Sequence, residues 1–137
     1  MAKPAHEGPI GQYAAPYHTD TATFTLGPYE YIEYKYRLEK GASMLYSWTA
    51  TAPVKHDFHG DEEGKSAVSF DKKDRREGHG AFTAPFNGIH GWYWENPGAG
   101  TITVKLDTAG FYSAATEIHM DHTRHPREPK PAGKIGQ

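Results

Sequence analysis

The chain contains no cysteine, which removes disulfides, thiolate metal ligands and a cysteine nucleophile from consideration. It also lacks any run approaching the roughly 18 apolar residues of a membrane span. Residues 1–11 carry neither the basic start nor the apolar centre of a signal peptide. Charge of one sign is missing too: the formal net charge is −2, with no clustered basic footprint, so nucleic acid is not an expected partner. Helical periodicity is absent along the whole length. Aliphatic content is low, with hydrophobic residues at 36% of 137 positions, enough for one domain but not for an aliphatic core.

What fills that deficit is aromatic. Nine Tyr and three Trp help bring aromatics to 13%, so a few large rings must carry the interior. They concentrate in residues 88–96, Gly-Ile-His-Gly-Trp-Tyr-Trp-Glu-Asn, which run into Pro97 and Gly98, a turn signal. On a strand, residues two apart share a face. Trp92 and Trp94 therefore point one way with His90, and Ile89, Tyr93 and Glu95 the other.

Residues 1–20, with Pro4, Pro9 and Pro16, read as an extended or disordered lead that touches the domain through Tyr13 and Tyr17. The remainder reads as short strands: 21–26; 29–38, with Ile32, Tyr34, Tyr36 and Leu38 on one face; and 42–50 after a Glu39-Lys40-Gly41 hairpin turn. Further strands are expected at 54–59 beyond Pro53, 66–70, 81–84, 88–96, 101–107 and 110–118. Residues 71–80 read as a charged, solvated loop and 119–137 as a disordered tail. The expected architecture is all-β: a single antiparallel β-sandwich of about eight strands, jelly-roll in type, over residues 21–118.

Nine histidines without cysteine raise a nitrogen-ligated metal, Zn or Cu, with His56, His59, His79 and His90 as the candidate ligands. His56 and His59 fall on opposite faces of a regular strand, whereas Asp57 and His59 share one. The spacing matches neither a helical His-Glu-x-x-His nor the cupin pattern. The competing reading makes these histidines structural, with ring nitrogens satisfied by backbone. Trp92 and Trp94, with Tyr46 and Trp48, could form a stacking platform for carbohydrate; alternatively they are the core. No Gly-x-Ser-x-Gly setting and no phosphate loop appears. The candidate ligand-binding set is Asp57, His59 and His90, walled by Trp92 and Trp94.

The segment Gly80-Ala81-Phe82, then Gly88 to Asn96, then the alternating Thr101 to Leu106, resembles the end of the GOLD domain of p24-type cargo proteins. That resemblance covers about residues 29–112 and implies the fold alone. The chain departs from those proteins in having no cysteine pair, coiled coil or membrane span. Asp57-Phe58-His59-Gly60 and Gly88 to Asn96 also look like small bacterial proteins described as hypothetical or as transmembrane anchor proteins. Those relatives tend to carry an N-terminal anchor, which implies a soluble outer portion and no activity; the function read for the chain is a non-catalytic binding or adaptor module with a protein or small-ligand partner. It reaches the membrane only through an anchor outside this sequence. The implied location is periplasmic or otherwise extracytoplasmic with such an anchor, and cytoplasmic without one.

Overall fold

Strand β5 (Ser43–Asp61) is 19 residues long and belongs to both halves of the molecule. The computed structural model describes residues 5–131. The other strands in chain order are β1 (Ala5–Glu7), β2 (Ile10–Gln12), β3 (His18–Leu26), β4 (Tyr31–Leu38), β6 (Val68–Lys72), β7 (Arg75–Thr83), β8 (Gly88–Glu95), β9 (Ile102–Gly110), β10 (Ala114–Ile118), β11 (Arg124–Arg127) and β12 (Lys130–Pro131). Every pairing is antiparallel, and no helix occurs among the described residues.

The all-β, antiparallel class expected from the sequence is what the structure has. In place of eight strands in two packed sheets, a single curled sheet of ten strands runs β11-β10-β4-β8-β5-β9-β3-β12, with β6 and β7 added on β5. β1 and β2 form a separate hairpin. The two halves stay continuous because β5 pairs with β9 through Met44 to Ala50 and with β8 through Lys55 to Asp61. Pro53, expected to separate two strands, lies in the interval 51–53 where β5 has no register partner. There its missing amide interrupts no ladder.

Several boundaries differ from expectation for physical reasons. The Glu39–Gly41 turn, with Gly41 in the left-handed region at φ 90°, joins β4 to a strand it does not pair with, so it is a sheet-switching turn and not a hairpin. Arg75 to Gly80 is strand, not loop; its charges face solvent on an edge strand. Gly78 and Gly80 lie opposite Trp48 and Tyr46, where a Cβ would come within 2.5 Å of Trp48 Nε1 and 2.6 Å of Tyr46 Oη. Bare backbone here lets the rings lie across the neighbouring strand. The expected lead and tail also contain strands. β1, β2 and the start of β3 fall within residues 1–20, and β11 and β12 fall beyond residue 118. Tyr13 does anchor the lead, stacking on Phe111 at 3.8 Å and donating a hydrogen bond to the Gly41 carbonyl.

The core lies between the facing halves. Phe24 of β3 meets Tyr34 and Trp94 at centroid distances of 5.2 and 5.7 Å, and Trp48 meets Trp94 at 5.5 Å. Trp48, Trp92, Trp94, Tyr34 and Tyr36 are all fully buried. Full burial of one such ring contributes roughly 2–3 kcal/mol, so a handful of rings replaces a larger aliphatic core.

Candidate functional site on the outer face of β4, β8 and β5

The same alternation that buries these rings sends a second set of side chains outward. Register aligns Glu33 with Tyr93 and Asp57, Lys35 with Gly91 and His59, and Arg37 with Ile89 and Asp61. Gly91 carries no side chain at the middle of this row. A Cβ there would lie 2.8 Å from Lys35 Cα and closer still to the Tyr34 carbonyl, so β8 approaches β4 as only glycine permits.

Across that gap Lys35 and His59 reach the same carboxylate. Lys35 Nζ and His59 Nε2 each lie 3.2 Å from Glu33 Oε1, and Lys35 also pairs with Asp61. Lys35 is 4% exposed and His59 8%, uncommon burial for charged groups, which is sustained by this pairing. His59 Nδ1 faces the Asp57 carbonyl at 3.2 Å, so both ring nitrogens face acceptors and the doubly protonated ring satisfies both. Burial pulls the His59 pKa down, but the hydrogen bond to Glu33 and the nearby acceptors outweigh it and the net shift is upward. The hydrogen bond from His59, aided by Lys35, holds the Glu33 carboxyl at about 2 against the opposing effect of burial. Asp57 Oδ1 is buried without a hydrogen-bond partner.

Beside this network opens a cleft of about 600 Å³. Buried His56 and His59 and half-buried Asp57 and Tyr93 line it, together with exposed Lys55, Lys72, Lys73 and Asp74. Tyr31 packs against Tyr93 at 5.2 Å, giving the charged row an aromatic flank.

The residues singled out from sequence do not form one site. Asp57 and His59 face outward, whereas His90, Trp92 and Trp94 face inward, with the sheet between them. Trp92 and Trp94 are fully buried and stacked on each other at 5.6 Å, so they make neither a wall for the outer cleft nor a sugar platform. Of the expected four-histidine metal set, His56 and His59 both line the cleft, whereas His79 and His90 lie away from it. His56 stacks on Trp48 at 5.2 Å with Nδ1 at 3.2 Å from the Lys73 carbonyl, and burial lowers its pKa. His79 is exposed on β7, bonded to Ser47 and Glu77. His90 sits among Phe70, Phe82 and Phe86 without a well-formed hydrogen bond on either nitrogen. Burial holds its pKa at about 4, against a weak opposing pull from the Gly88 backbone. Among the described residues no three His, Asp or Glu side chains are arranged to hold a metal. The strand period puts His59 on the outer face and His56 and His90 on the inner one, and His79 lies on the separate strand β7.

Glu33, Lys35 and Tyr93 read from sequence as the solvent-facing alternates of their strands, and Asp61 as part of an acidic loop beyond the strand at 54–59. The available signal was Gly91, an interior strand glycine that marks a close approach. No protein-family model and no curated protein matches the chain.

Proposed function

We propose that the chain is a non-catalytic binding or adaptor module whose ligand face is the outer surface of β4, β8 and β5 with its adjoining cleft. The observation that carries this reading is the row Glu33–Lys35–His59–Asp61. Four charged groups from β4 and β5, strands held apart by β8, are cross-linked, with Lys35 and His59 buried, and through His59 they reach a cleft large enough for a small polar molecule or a side-chain cluster. Groups on paired strands are held more rigidly than groups on loops, so the face is organised before a ligand arrives. The partner is a polar small molecule or a protein segment that meets the lysines and Tyr93 of the cleft. The GOLD-like kinship belongs to the same reading and is supported by the sequence resemblance over residues 29–112, and a position on the outer side of a bacterial membrane by the likeness of residues 57–60 and 88–96 to small bacterial proteins.

The test is an NMR titration of the labelled protein with a panel of carboxylates, amines, saccharides and short peptides. The reading expects a ligand whose shift changes cluster on β4, β8, β5 and residues 72–74, and whose binding weakens at least about tenfold in Lys55→Ala and Tyr93→Ala. Ligands whose shifts map only elsewhere, or binding indifferent to both variants, would overturn it.

A further inference from the structure

β11 and β12 stand at opposite ends of the strand order, yet only Glu128 and Pro129 separate them in sequence. β11 pairs with β10 from Ala115↔Arg127 to Ile118↔Arg124. β12 pairs with β3 at Thr19↔Lys130 and His18↔Pro131. Residues 124–131 therefore cross from one free end of the curled sheet to the other and close its open seam.

Beneath the crossing lies a polar chain. Tyr34 and Tyr36 both donate to Asp20 Oδ2, at 2.5 and 2.8 Å. Thr108 Oγ1 donates to the Tyr36 hydroxyl at 2.9 Å and lies 2.8 Å from that of Tyr112. These bonds, with the Phe24–Tyr34 contact, tie β3 to β4 independently of the crossing segment. Arg127 attaches that segment: its guanidinium lies 5.8 Å above the Tyr34 ring and 2.8 Å from the Glu117 carboxylate.

The segment itself buries nothing completely. Arg127 and Pro129 are half-buried, and every other residue of 124–131 is exposed. Pro126, Pro129 and Pro131 offer no amide hydrogen to either ladder. An element with two short ladders and no buried apolar side chain opens at a far lower free energy than the aromatic core.

We propose that residues 124–131 are a displaceable strap that lifts off while the sheet stays folded, and that the slot beneath receives an extended strand carrying an arginine. The slot presents two unpaired strand edges, on β10 and β3, with the Tyr34 face and the Glu117 carboxylate between them. Main-chain pairing to an edge supplies affinity, and the ring and carboxylate select a guanidinium. The present occupant, the chain's own Arg127 segment, shows the chemistry that fits. This slot stands apart from the outer-face cleft and does not depend on it.

The full chain allows a clean test, because a cysteine-free sequence accepts an engineered pair without competing thiols. Thr19 and Lys130 are directly opposed, so oxidised Thr19→Cys/Lys130→Cys locks the strap. Hydrogen exchange should show the Arg127 and Lys130 amides of the wild type exchanging at least about 100-fold faster than those of Trp92 and Trp94. A fluorescent peptide with the sequence of residues 122–131 should bind Arg127→Ala at least about tenfold more tightly than the locked chain. If the cross-link does not form, wild type replaces the locked chain in that comparison. Strap amides exchanging at the core rate, or equal peptide binding to open and closed forms, would overturn the proposal.

Discussion

His59 and Glu33 sit on strands that are not hydrogen-bonded to each other, yet His59 Nε2 lies 3.2 Å from Glu33 Oε1 across the bare backbone of Gly91. The contact couples the stability of the outer face to pH. Glu33 titrates at about 2 in the folded protein against 4.5 ordinarily, so its contribution is present above pH 4.5 and disappears as pH falls toward 2. The His59 pKa is raised above 6.5, so its contribution is full below 6.5 and is lost as pH rises through the folded value. The difference in unfolding free energy between wild type and Glu33→Gln should peak between these limits at about 2 kcal/mol, allowing for solvent at a partly exposed carboxylate. Urea titrations from pH 2 to 9 measure it, and a flat difference would show that the pair contributes nothing.

His90 governs a different part of the acid limb. Its folded pKa of about 4 lies below the ordinary 6.5, so wild-type stability should fall by about 2 kcal/mol as pH drops from 6.5 to 4. His90→Phe should abolish that slope. At pH 7 it should be neutral or stabilising by up to ~1 kcal/mol, because it removes two unsatisfied buried nitrogens. His90→Leu covers the case in which the larger ring crowds Gly60. A loss above about 3 kcal/mol in both variants would mean that the ring nitrogens hold something essential.

Gly91→Ala should be among the most damaging single-methyl changes in the protein. The added Cβ meets backbone of β4, which cannot swing aside as a flexible side chain can. A loss of about 3 kcal/mol or more is expected, with the Lys35 and His59 resonances displaced. Gly98→Ala, whose Cβ would be 4.0 Å from Asn96 Oδ1, is the matched control and should cost under about 1 kcal/mol. Equal thermal stability of the two variants would contradict the close approach of β8 to β4.

Trp94→Ala should cost about 3–5 kcal/mol, the range for removing a large buried aromatic. Trp94→Phe should cost distinctly less. The indole Nε1 has no partner, so only ring area is lost and no hydrogen bond is broken. Chemical denaturation of the two variants separates packing from polarity; equal losses would imply a bond to that nitrogen.

Much of the inside and outside of this fold is legible locally. Residues 31–38 and 88–95 follow the two-residue period, and their inward and outward sets match the structure because a period of two is a property of one strand alone; the burial of the outward Lys35 and Gly91 departs from it. What joins Glu33 to His59 is the relative register of three strands, which is set by long-range pairing and leaves no trace in any one segment. Arg75 to Glu77 reads as loop because an edge strand with charges facing water carries no burial pattern. The strands at 124–131 read as tail for the same reason, since none of their residues is fully buried. Pro53 reads as a strand break and in fact sits at a bulge, an ambiguity that only the partner strands resolve.

The shared strand β5 bears on how the chain reaches this state. Its two ends belong to different halves, so neither half can complete its ladder before the other is in place, and folding and unfolding should each occur as one concerted event. The partners are also remote along the chain: β3 finds β9 through Leu26↔Ile102 and His18↔Gly110. Loop-closure entropy must be met before those pairings reward it, which places folding on a timescale of roughly milliseconds to seconds, well slower than a helical protein of this size.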